Sequence, residues 1–205
     1  MGSSESQIIV LILAGGKGSR MGNIKQLLPW KDATLLENAI EQAKMSQASD
    51  IIVILGAHAI EIRSKISDKD ILFIDNTEWE SGLGTSISCG VKYIINNLRH
   101  AKGVMVLLAD QPLIDTQYID YMLDTFKKQS HGMVTTNYGK REGVPAIFDK
   151  KYFSDLKSLN QDFGAKELIQ KNKHINISLN PKGKELDIDT PEDYHTLLKE
   201  QSKEN

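Results

Sequence analysis

Only one cysteine, Cys89, occurs among the 205 residues. A disulfide within the chain needs two cysteines and a cysteine cage for a metal needs several, so both are excluded. The apolar runs fall well short of the roughly 18 consecutive residues that a membrane-spanning helix needs, so no membrane partner is expected. Neither sign of charge dominates, with 25 Lys and Arg against 27 Asp and Glu, and the sequence therefore offers no basic surface for nucleic acid.

The beginning of the sequence also lacks a basic region and a cleavage site, the two features of a secretory signal. A cytoplasmic location is the simplest expectation. What is present is an ordinary globular composition, with 40% hydrophobic and 25% charged residues. At this length, a single domain over residues 1–205 is the expected organisation.

The most informative stretch is a glycine-rich loop that follows an apolar run at residues 8–13. Its glycines are Gly15, Gly16, Gly18 and Gly22. Successive N–H groups of such a loop can turn inward and form an anion site, since few side chains keep a ligand away. The cations Lys17, Arg20 and Lys25 lie in or just after the loop, which suits a polyphosphate. The spacing matches neither the Walker motif nor the dinucleotide motif, and a flexible connection is the plain alternative.

Apolar runs alternate with helical patterns through the first 130 residues, which predicts an α/β fold. Strands are predicted at residues 8–13, 50–55, 71–74, 103–108, 133–136, 144–148 and 175–179. The early strands are continuously apolar, which favours a mostly parallel central sheet with helices on both faces. Ligands gather at the carboxyl ends of such strands. The less regular region after residue 130 is expected to add a second lobe to the pocket.

Three acidic residues are candidate ligands for a divalent cation. Asp110 directly follows a buried strand, where a carboxylate is costly unless it is paired or binds a cation. Mg²⁺ favours one or two carboxylates together with phosphate oxygens and water. Asp187 and Asp189 lie two residues apart in an extended segment and so share a face. The alternatives are that Asp110 braces the turn at Pro112 and that residues 186–189 form an ordinary edge strand.

Six sequence blocks together resemble one known family, the MobA-like NTP transferases, and within it the cytidylyltransferase branch of MocA-like proteins. The blocks are Leu13–Gly22 with Lys25, Asn76–Ser86, Leu108–Pro112, Gly143–Pro145, Gln161–Ala165 and Asp187–Asp193. They occur in the family's order and span roughly residues 8–198. The resemblance implies a Rossmann-like nucleotidyltransferase fold, with residues 8–130 binding the nucleotide and residues 131–198 forming the acceptor side.

The resemblance also implies a reaction and a set of site residues. CMP from CTP would be joined to the terminal phosphate of the molybdopterin cofactor with Mg²⁺ as the metal, pyrophosphate would leave, and a molybdoenzyme could receive the product. The base and ribose would lie against Leu13, Ala14, Gly15 and Gly16. The triphosphate would be held by Gly18, Ser19, Arg20 and Lys25. Further nucleotide contacts would come from Gly82, Gly84 and Ser86.

The remaining implied roles concern the metal and the acceptor. Mg²⁺ would be held by Asp110 with either Asp187 or Asp189. Catalysis would depend on Lys25, Arg20 and Asp110, which position the phosphates and neutralise charge. The acceptor side would be shaped by Gly143, Pro145, Asp162 and Gly164.

One residue leaves the base open. Leu-Ala-Gly-Gly, with Gly15, is typical of the guanylyltransferase branch, whereas the later blocks favour the cytidylyltransferase branch. Another phosphorylated acceptor, such as a sugar phosphate, is a second possibility. A non-catalytic chaperone for the cofactor is the third.

Overall fold

The computed structural model describes residues 7–18, 20–66, 68, 70–129 and 132–201. Its strands are β1 (Ile8–Ala14), β2 (Pro29–Trp30), β3 (Ala33–Thr34), β4 (Asp50–Leu55), β5 (Leu72–Asp75), β6 (Gly103–Leu108), β7 (Met133–Asn137), β8 (Glu142–Asp149) and β9 (Asn176–Leu179). Its α-helices are α1 (Leu35–Lys44), α2 (Ala59–Lys65), α3 (Leu83–Asn97), α4 (Thr116–Lys128), α5 (Phe153–Leu156), α6 (Lys166–Lys171) and α7 (Pro191–Gln201). Single 3-10 turns occur at Lys25–Leu27, Trp79–Ser81, Lys150–Tyr152 and Lys173–Ile175.

The central sheet has seven strands in the order β5-β4-β1-β6-β8-β7-β9. The pairs β1–β4, β1–β6, β4–β5 and β7–β9 are parallel, and only β8 runs against its two neighbours. The predicted mostly parallel sheet is therefore confirmed. The antiparallel strand arises because the chain turns back after β7 at residues 138–141 and forms a hairpin, which a parallel crossover would not allow in so few residues.

Helices cover both faces of the sheet, and every residue of β1 is therefore buried. Val10 and Ile12 point into a core with residues of α1 and α4. Ile9 and Leu11 point into a second core with residues of α3, α5 and α6. This alternation is the two-residue period of a strand, and it explains why the run is apolar throughout.

Helix starts follow local capping chemistry. Thr34 and Glu37 form a reciprocal capping box at α1. Asp115 accepts a hydrogen bond from the Tyr118 N–H at the start of α4 (2.9 Å), which leaves Asp110 free of a capping role. Thr190 and Asp193 cap the start of α7 in the same reciprocal way. After β8 the chain forms a 3-10 turn that leads directly into the four residues of α5.

A small third core brings distant segments to the carboxyl edge of the sheet. It contains Met21, Trp30, Leu35, Ile188 and Leu197. Ile188 is fully buried, and its N–H donates to the Asp110 carbonyl (2.9 Å). The acidic segment is thus fixed beside the end of β6, while Leu186 at the start of this segment is exposed. Among the described residues, none of the helices combines the length and the apolar character that crossing a membrane would require.

Candidate active site

A cavity of about 390 Å³ lies at the carboxyl ends of β1 and β6, and we call it the glycine-loop cavity. Its lining residues are Leu13, Gly15, Gly16, Lys17, Gly18, Arg20, Lys25, Gln26, Trp79, Glu80, Gly82, Leu83, Ser86, Leu108, Ala109, Asp110, Asp162 and Asp189. Adjacent parallel strands place their ends at the same edge, which is why residues 13–18 and 108–110 meet there. The predicted glycine loop and Asp110 therefore share one cavity.

The carbonyl groups at the start of the glycine loop are hydrogen-bonded within the protein. Six consecutive carbonyls, from Leu13 to Gly18, accept hydrogen bonds from other groups of the protein. The donors are the N–H of Ala109 (to Leu13, 3.1 Å), Gln26 Nε2 (to Ala14, 3.0 Å, and to Gly16, 3.1 Å), the N–H of Ala57 (to Gly15, 3.3 Å), His58 Nε2 in its protonated tautomer (to Lys17, 3.3 Å) and the N–H of Met21 (to Gly18, 2.9 Å). The negative ends of these peptide dipoles are thereby turned into the protein.

The amide groups of the same loop behave differently. No described residue accepts a hydrogen bond from the N–H of Gly16, Lys17 or Gly18. Gly18 has a φ of 60°, a left-handed conformation that glycine adopts without strain and that turns successive N–H groups toward one side. Because the carbonyls are hydrogen-bonded within the protein and three amides have no acceptor among the described residues, the loop presents an electropositive backbone surface. Such a surface suits an anion with several oxygens.

Lys25 lies between two carboxylates at the edge of this surface. Its Nζ is 2.6 Å from Asp110 Oδ2 and 3.1 Å from Asp189 Oδ1. Arg20 reaches the other oxygen of Asp189 at 3.2 Å. Burial opposes the charge of Lys25, but attraction and hydrogen bonding from Asp110 and Asp189 outweigh it, so the pKa of Lys25 is raised. The ammonium thus bridges carboxylates that come from positions 79 residues apart in the sequence.

The residues at this position also fit a divalent cation. Asp110 Oδ1 is buried and has no hydrogen-bond partner among the described residues, so one lone-pair site remains unused. Mg²⁺ and similar ions take one or two carboxylates and complete their coordination with phosphate and water. Within the described ranges no group of three or more His, Cys, Asp or Glu side chains is arranged to hold a metal by itself. Asp110 with Asp189 is the carboxylate pair that Lys25 already draws together.

Asp187 has a different environment from Asp189. Gln111 Nε2 donates to Asp187 Oδ1 at 2.8 Å, whereas no cation pairs with Asp187 among the described residues. Burial and the nearby charge of Asp110 raise the pKa of Asp187 to about 6. The two carboxylates flank the buried Ile188 and face two different cavities.

The acceptor-side residues gather around a second cavity of about 330 Å³. Its lining residues are Leu83, Leu108, Tyr138, Arg141, Glu142, Gly143, Val144, Asp162, Phe163, Ala165, Lys166, Ile169 and Asp187. Leu83, Leu108 and Asp162 also line the glycine-loop cavity, so the two cavities share a border. Tyr138 accepts a hydrogen bond from Gln111 Nε2 (2.7 Å) and donates to the Val144 carbonyl, which fixes the wall of the second cavity.

Some predicted site residues lie behind the cavity walls. Ala14 packs in the core, and Gly84 packs against Gln161, to whose carbonyl it donates at 3.0 Å. Pro145 and Gly164 are buried and line neither cavity. Ser19 lies outside the described residues. These positions support the shape of the site, and any direct contact with a ligand stays a prediction.

Gly82 is the second position where the backbone demands glycine. Its φ is 102°, and a Cβ there would lie 2.4 Å from the Asp162 Cα. This close approach joins the start of α3 to the loop before α6. Asp162 lies at the border of both cavities, and the bond from the Gly84 N–H to the Gln161 carbonyl joins the same two segments.

Several lining residues escape prediction from sequence. Trp79 lies at the wall of the glycine-loop cavity because the 3-10 turn that carries it follows β5 at the same sheet edge, whereas composition alone favours a core position for a tryptophan. Gln26, Gln111 and Tyr138 match no motif with a stated mechanism. Their sequence signals are indirect: Gln26 follows Lys25, and Gln111 lies within the block Leu108–Pro112 without an implied role of its own.

The fold and this pair of cavities define the class of nucleotidyltransferases. A family model for the MobA-like NTP transferase domain matches residues 10–175. The chain therefore belongs to the MobA-like NTP transferase family, as the six sequence blocks predicted. The chain is an enzyme of the nucleotidyltransferase type.

Two relatives cover nearly the whole chain at equal identity. The molybdenum cofactor cytidylyltransferase of Escherichia coli K12 is 25% identical over 93% of this chain and 95% of its own. The nicotine blue oxidoreductase of Paenarthrobacter nicotinovorans is also 25% identical, over 92% of this chain and 95% of its own. Overall similarity at this level does not separate these two activities.

Solved structures show the same fold. A homologue of Rv0371c from Mycobacterium sp. strain JC1 superposes with a TM-score of 0.81 and 28% identity, covering 98% of this chain and 100% of that one. Rv0371c of Mycobacterium tuberculosis H37Rv in complex with manganese superposes with a TM-score of 0.75 and 24% identity, covering 96% of this chain and 100% of that one.

Proposed function

We propose that this protein is a Mg²⁺-dependent cytidylyltransferase that joins CMP from CTP to the terminal phosphate of the molybdopterin cofactor and releases pyrophosphate. The observation that carries the proposal is the shared border of the two cavities. One cavity offers amides and cations to a triphosphate, and the other lies beside it with room for an acceptor. The E. coli relative that carries this activity in its name adds support.

The chain's own groups would act by positioning and by neutralising charge. The amides of Gly16 and Gly18, with Arg20 and Lys25, would bind the triphosphate, and Leu13, Gly15 and Ser86 would border the nucleoside. An oxygen of the acceptor phosphate would bond to the α-phosphorus while the bond from that phosphorus to the bridging oxygen breaks. The leaving pyrophosphate takes the electron pair of that bond. No protein nucleophile is needed, since alignment and charge stabilisation lower the barrier.

The metal would be held by Asp110 together with Asp189 or Asp187. When bound, Mg²⁺ would supply neutralisation of the charge that develops on the phosphate oxygens. Lys25 would exchange its contacts with the carboxylates for contacts with the triphosphate. The manganese complex of the Mycobacterium tuberculosis neighbour supports a divalent ion in this fold.

The acceptor would lie in the second cavity, against Gly143 and Asp162, with Pro145 and Gly164 supporting its walls. Arg141 and Lys166 supply positive charge there, and Tyr138 and Phe163 supply aromatic surface. An aromatic and cationic lining suits a flat ring that bears a phosphate. The reaction would take place in the cytoplasm, and a molybdoenzyme would receive the product.

The test is pyrophosphate release from the purified protein with Mg²⁺, the molybdopterin cofactor and one of CTP, GTP, ATP or UTP in each reaction. Release with CTP alone is expected, and EDTA should abolish it. Release with GTP alone would identify a guanylyltransferase, to which Gly15 points. Release only with another acceptor, such as a sugar phosphate, would reassign the second cavity. Tight cofactor binding without release from any nucleotide would replace the enzyme proposal with a chaperone role.

A further inference from the structure

We propose that Gln26 is a positioning residue that gives the glycine loop its affinity for phosphate. The inference deepens the proposed function and rests on it for the identity of the anion. Gln26 follows Lys25 in the 3-10 turn Lys25–Leu27, and only 4% of its surface is exposed. The two neighbouring side chains serve different parts of one site, since Lys25 reaches the carboxylates and Gln26 reaches the loop.

The contacts of Gln26 define its orientation. Nε2 donates to the carbonyl of Ala14 at 3.0 Å and to the carbonyl of Gly16 at 3.1 Å. A primary amide carries two N–H donors, so both are used. Two carbonyl partners fix which end of the amide is nitrogen, because the oxygen end would repel both of them.

These two bonds control the direction of the loop's peptide groups. A carbonyl and the following N–H belong to the same planar peptide unit and point in opposite directions. Holding the Gly16 carbonyl toward Gln26 therefore directs the Lys17 N–H, for which no described residue is an acceptor, away from Gln26. The Ala14 bond does the same for the Gly15 N–H. Gln26 thus donates two of the six hydrogen bonds that fix the direction of the carbonyl groups, and hence of the amide groups, in this part of the loop.

Removal of this amide would release both carbonyls without altering any charged group. The freed peptide units could then rotate, and a rotated unit would present an oxygen to the bound phosphate. Each misdirected or unpaired peptide group would weaken the binding of phosphate. We expect the dissociation constant for a triphosphate to rise about 10- to 100-fold.

The experiment compares Gln26→Met with the wild-type chain. Methionine has a similar length and an apolar side chain, but it carries no N–H donor. Binding of inorganic tripolyphosphate and of CTP is measured by calorimetry, and the rise in Tm that each ligand produces is measured in parallel. Affinity for both ligands is expected to fall by a similar factor. In the transfer assay, KM for the nucleotide should rise while kcat at saturation stays within about threefold, because the loop positions substrate in advance of the reaction.

A matched control is Gln42→Met. Gln42 is also partly buried and accepts hydrogen bonds from the N–H and Oγ1 of Thr116 (3.0 and 2.9 Å), but it lines neither candidate cavity. This control should lose stability without losing tripolyphosphate binding. Should Gln26→Met fail to fold, Gln26→Asn keeps the amide on a shorter side chain and is measured in the same way.

The outcomes separate this inference from the proposed function. Unchanged tripolyphosphate affinity in Gln26→Met would overturn the positioning role and leave the transferase proposal intact. An equal loss of affinity in Gln42→Met would also overturn it, because the effect would then be general destabilisation. A wild-type chain that binds tripolyphosphate through Gln26 but releases no pyrophosphate would retain the inference and reject the reaction.

Discussion

The two neighbouring cavities are built from different parts of the chain. The glycine-loop cavity owes its polarity to the backbone amides of the loop and to the cluster of charged side chains around Lys25. The second cavity owes its character to side chains such as Tyr138, Arg141 and Lys166. Backbone amides and cations that contact phosphates bind what all triphosphates share, whereas the aromatic and charged side chains of the second cavity can be changed residue by residue to suit an acceptor. The first cavity should therefore fix the reaction type, and the second should fix the acceptor.

A substitution of Asp110 should have the largest effect on turnover, because this residue would hold the metal for the transfer reaction with any acceptor. Asp110→Asn should lower kcat at least about 10³-fold, since it removes a charge that would hold the metal. Asp75→Asn is a matched control, because Asp75 pairs with Arg63 on the surface at 2.7 Å. Turnover and manganese binding are measured for both. Normal turnover in Asp110→Asn would remove Asp110 from the mechanism.

Lys25 should come next. Lys25→Ala should reduce turnover about 10²- to 10³-fold with every acceptor tested, because the lost cation serves the shared triphosphate. The fold should survive, since Asp110 and Asp189 both retain access to solvent. Lys44→Ala is the control, because its ammonium pairs with Asp68 at 2.9 Å away from both cavities. An effect that depended on the acceptor would contradict the division between the cavities.

A substitution of Arg141 tests the role of the second cavity in acceptor binding, and its expected effect on kinetics is smaller. Arg141→Ala should raise KM for the acceptor about 5- to 10-fold and leave KM for the nucleotide unchanged, since the guanidinium is exposed and lies over the Tyr138 ring (5.0 Å). Steady-state kinetics with each substrate varied in turn provide the measurement. Lys140→Ala removes an exposed neighbouring charge that lines neither cavity and should change neither constant.

The same division explains what could be predicted from the sequence. The glycine loop and Asp110 are local signals at strand ends, and adjacency of parallel strands is enough to bring them together. The position of Asp189 beside Lys25 depends on Ile188 entering the small third core, 163 residues after Lys25. Gln111 donates hydrogen bonds to Tyr138 and to Asp187. These two residues lie in a hairpin and in a distant loop, and no pattern in the sequence indicates that the two segments meet. Contacts of this kind require the folded chain.

Asp187 and Asp189 extend the comparison to two carboxylates only two residues apart. Asp189 is paired with Lys25 and Arg20, whereas Asp187 is half-buried beside the neutral Gln111. Asp187→Asn should preserve the bond from Gln111 and keep turnover within about threefold if Asp189 is the second metal ligand. A loss comparable to that of Asp110→Asn would instead assign the metal to Asp187.

The difference in stability between Asp187→Asn and the wild-type chain should depend on pH. Burial and the charge of Asp110 raise the pKa of Asp187 from 3.8 to about 6, so the folded chain binds this proton more tightly than the unfolded chain. Protonated Asp187 favours folding in acid, and that contribution is lost as pH rises through about 6. At pH 7.5 the uncharged asparagine should therefore stabilise the chain by about 1–2 kcal/mol, or about 2–6 °C in Tm, after allowance for solvent screening. Near pH 4 the two proteins should melt together. Thermal melts in EDTA at both pH values measure the difference, and a pH-independent shift would show that the aspartate's charge is already compensated.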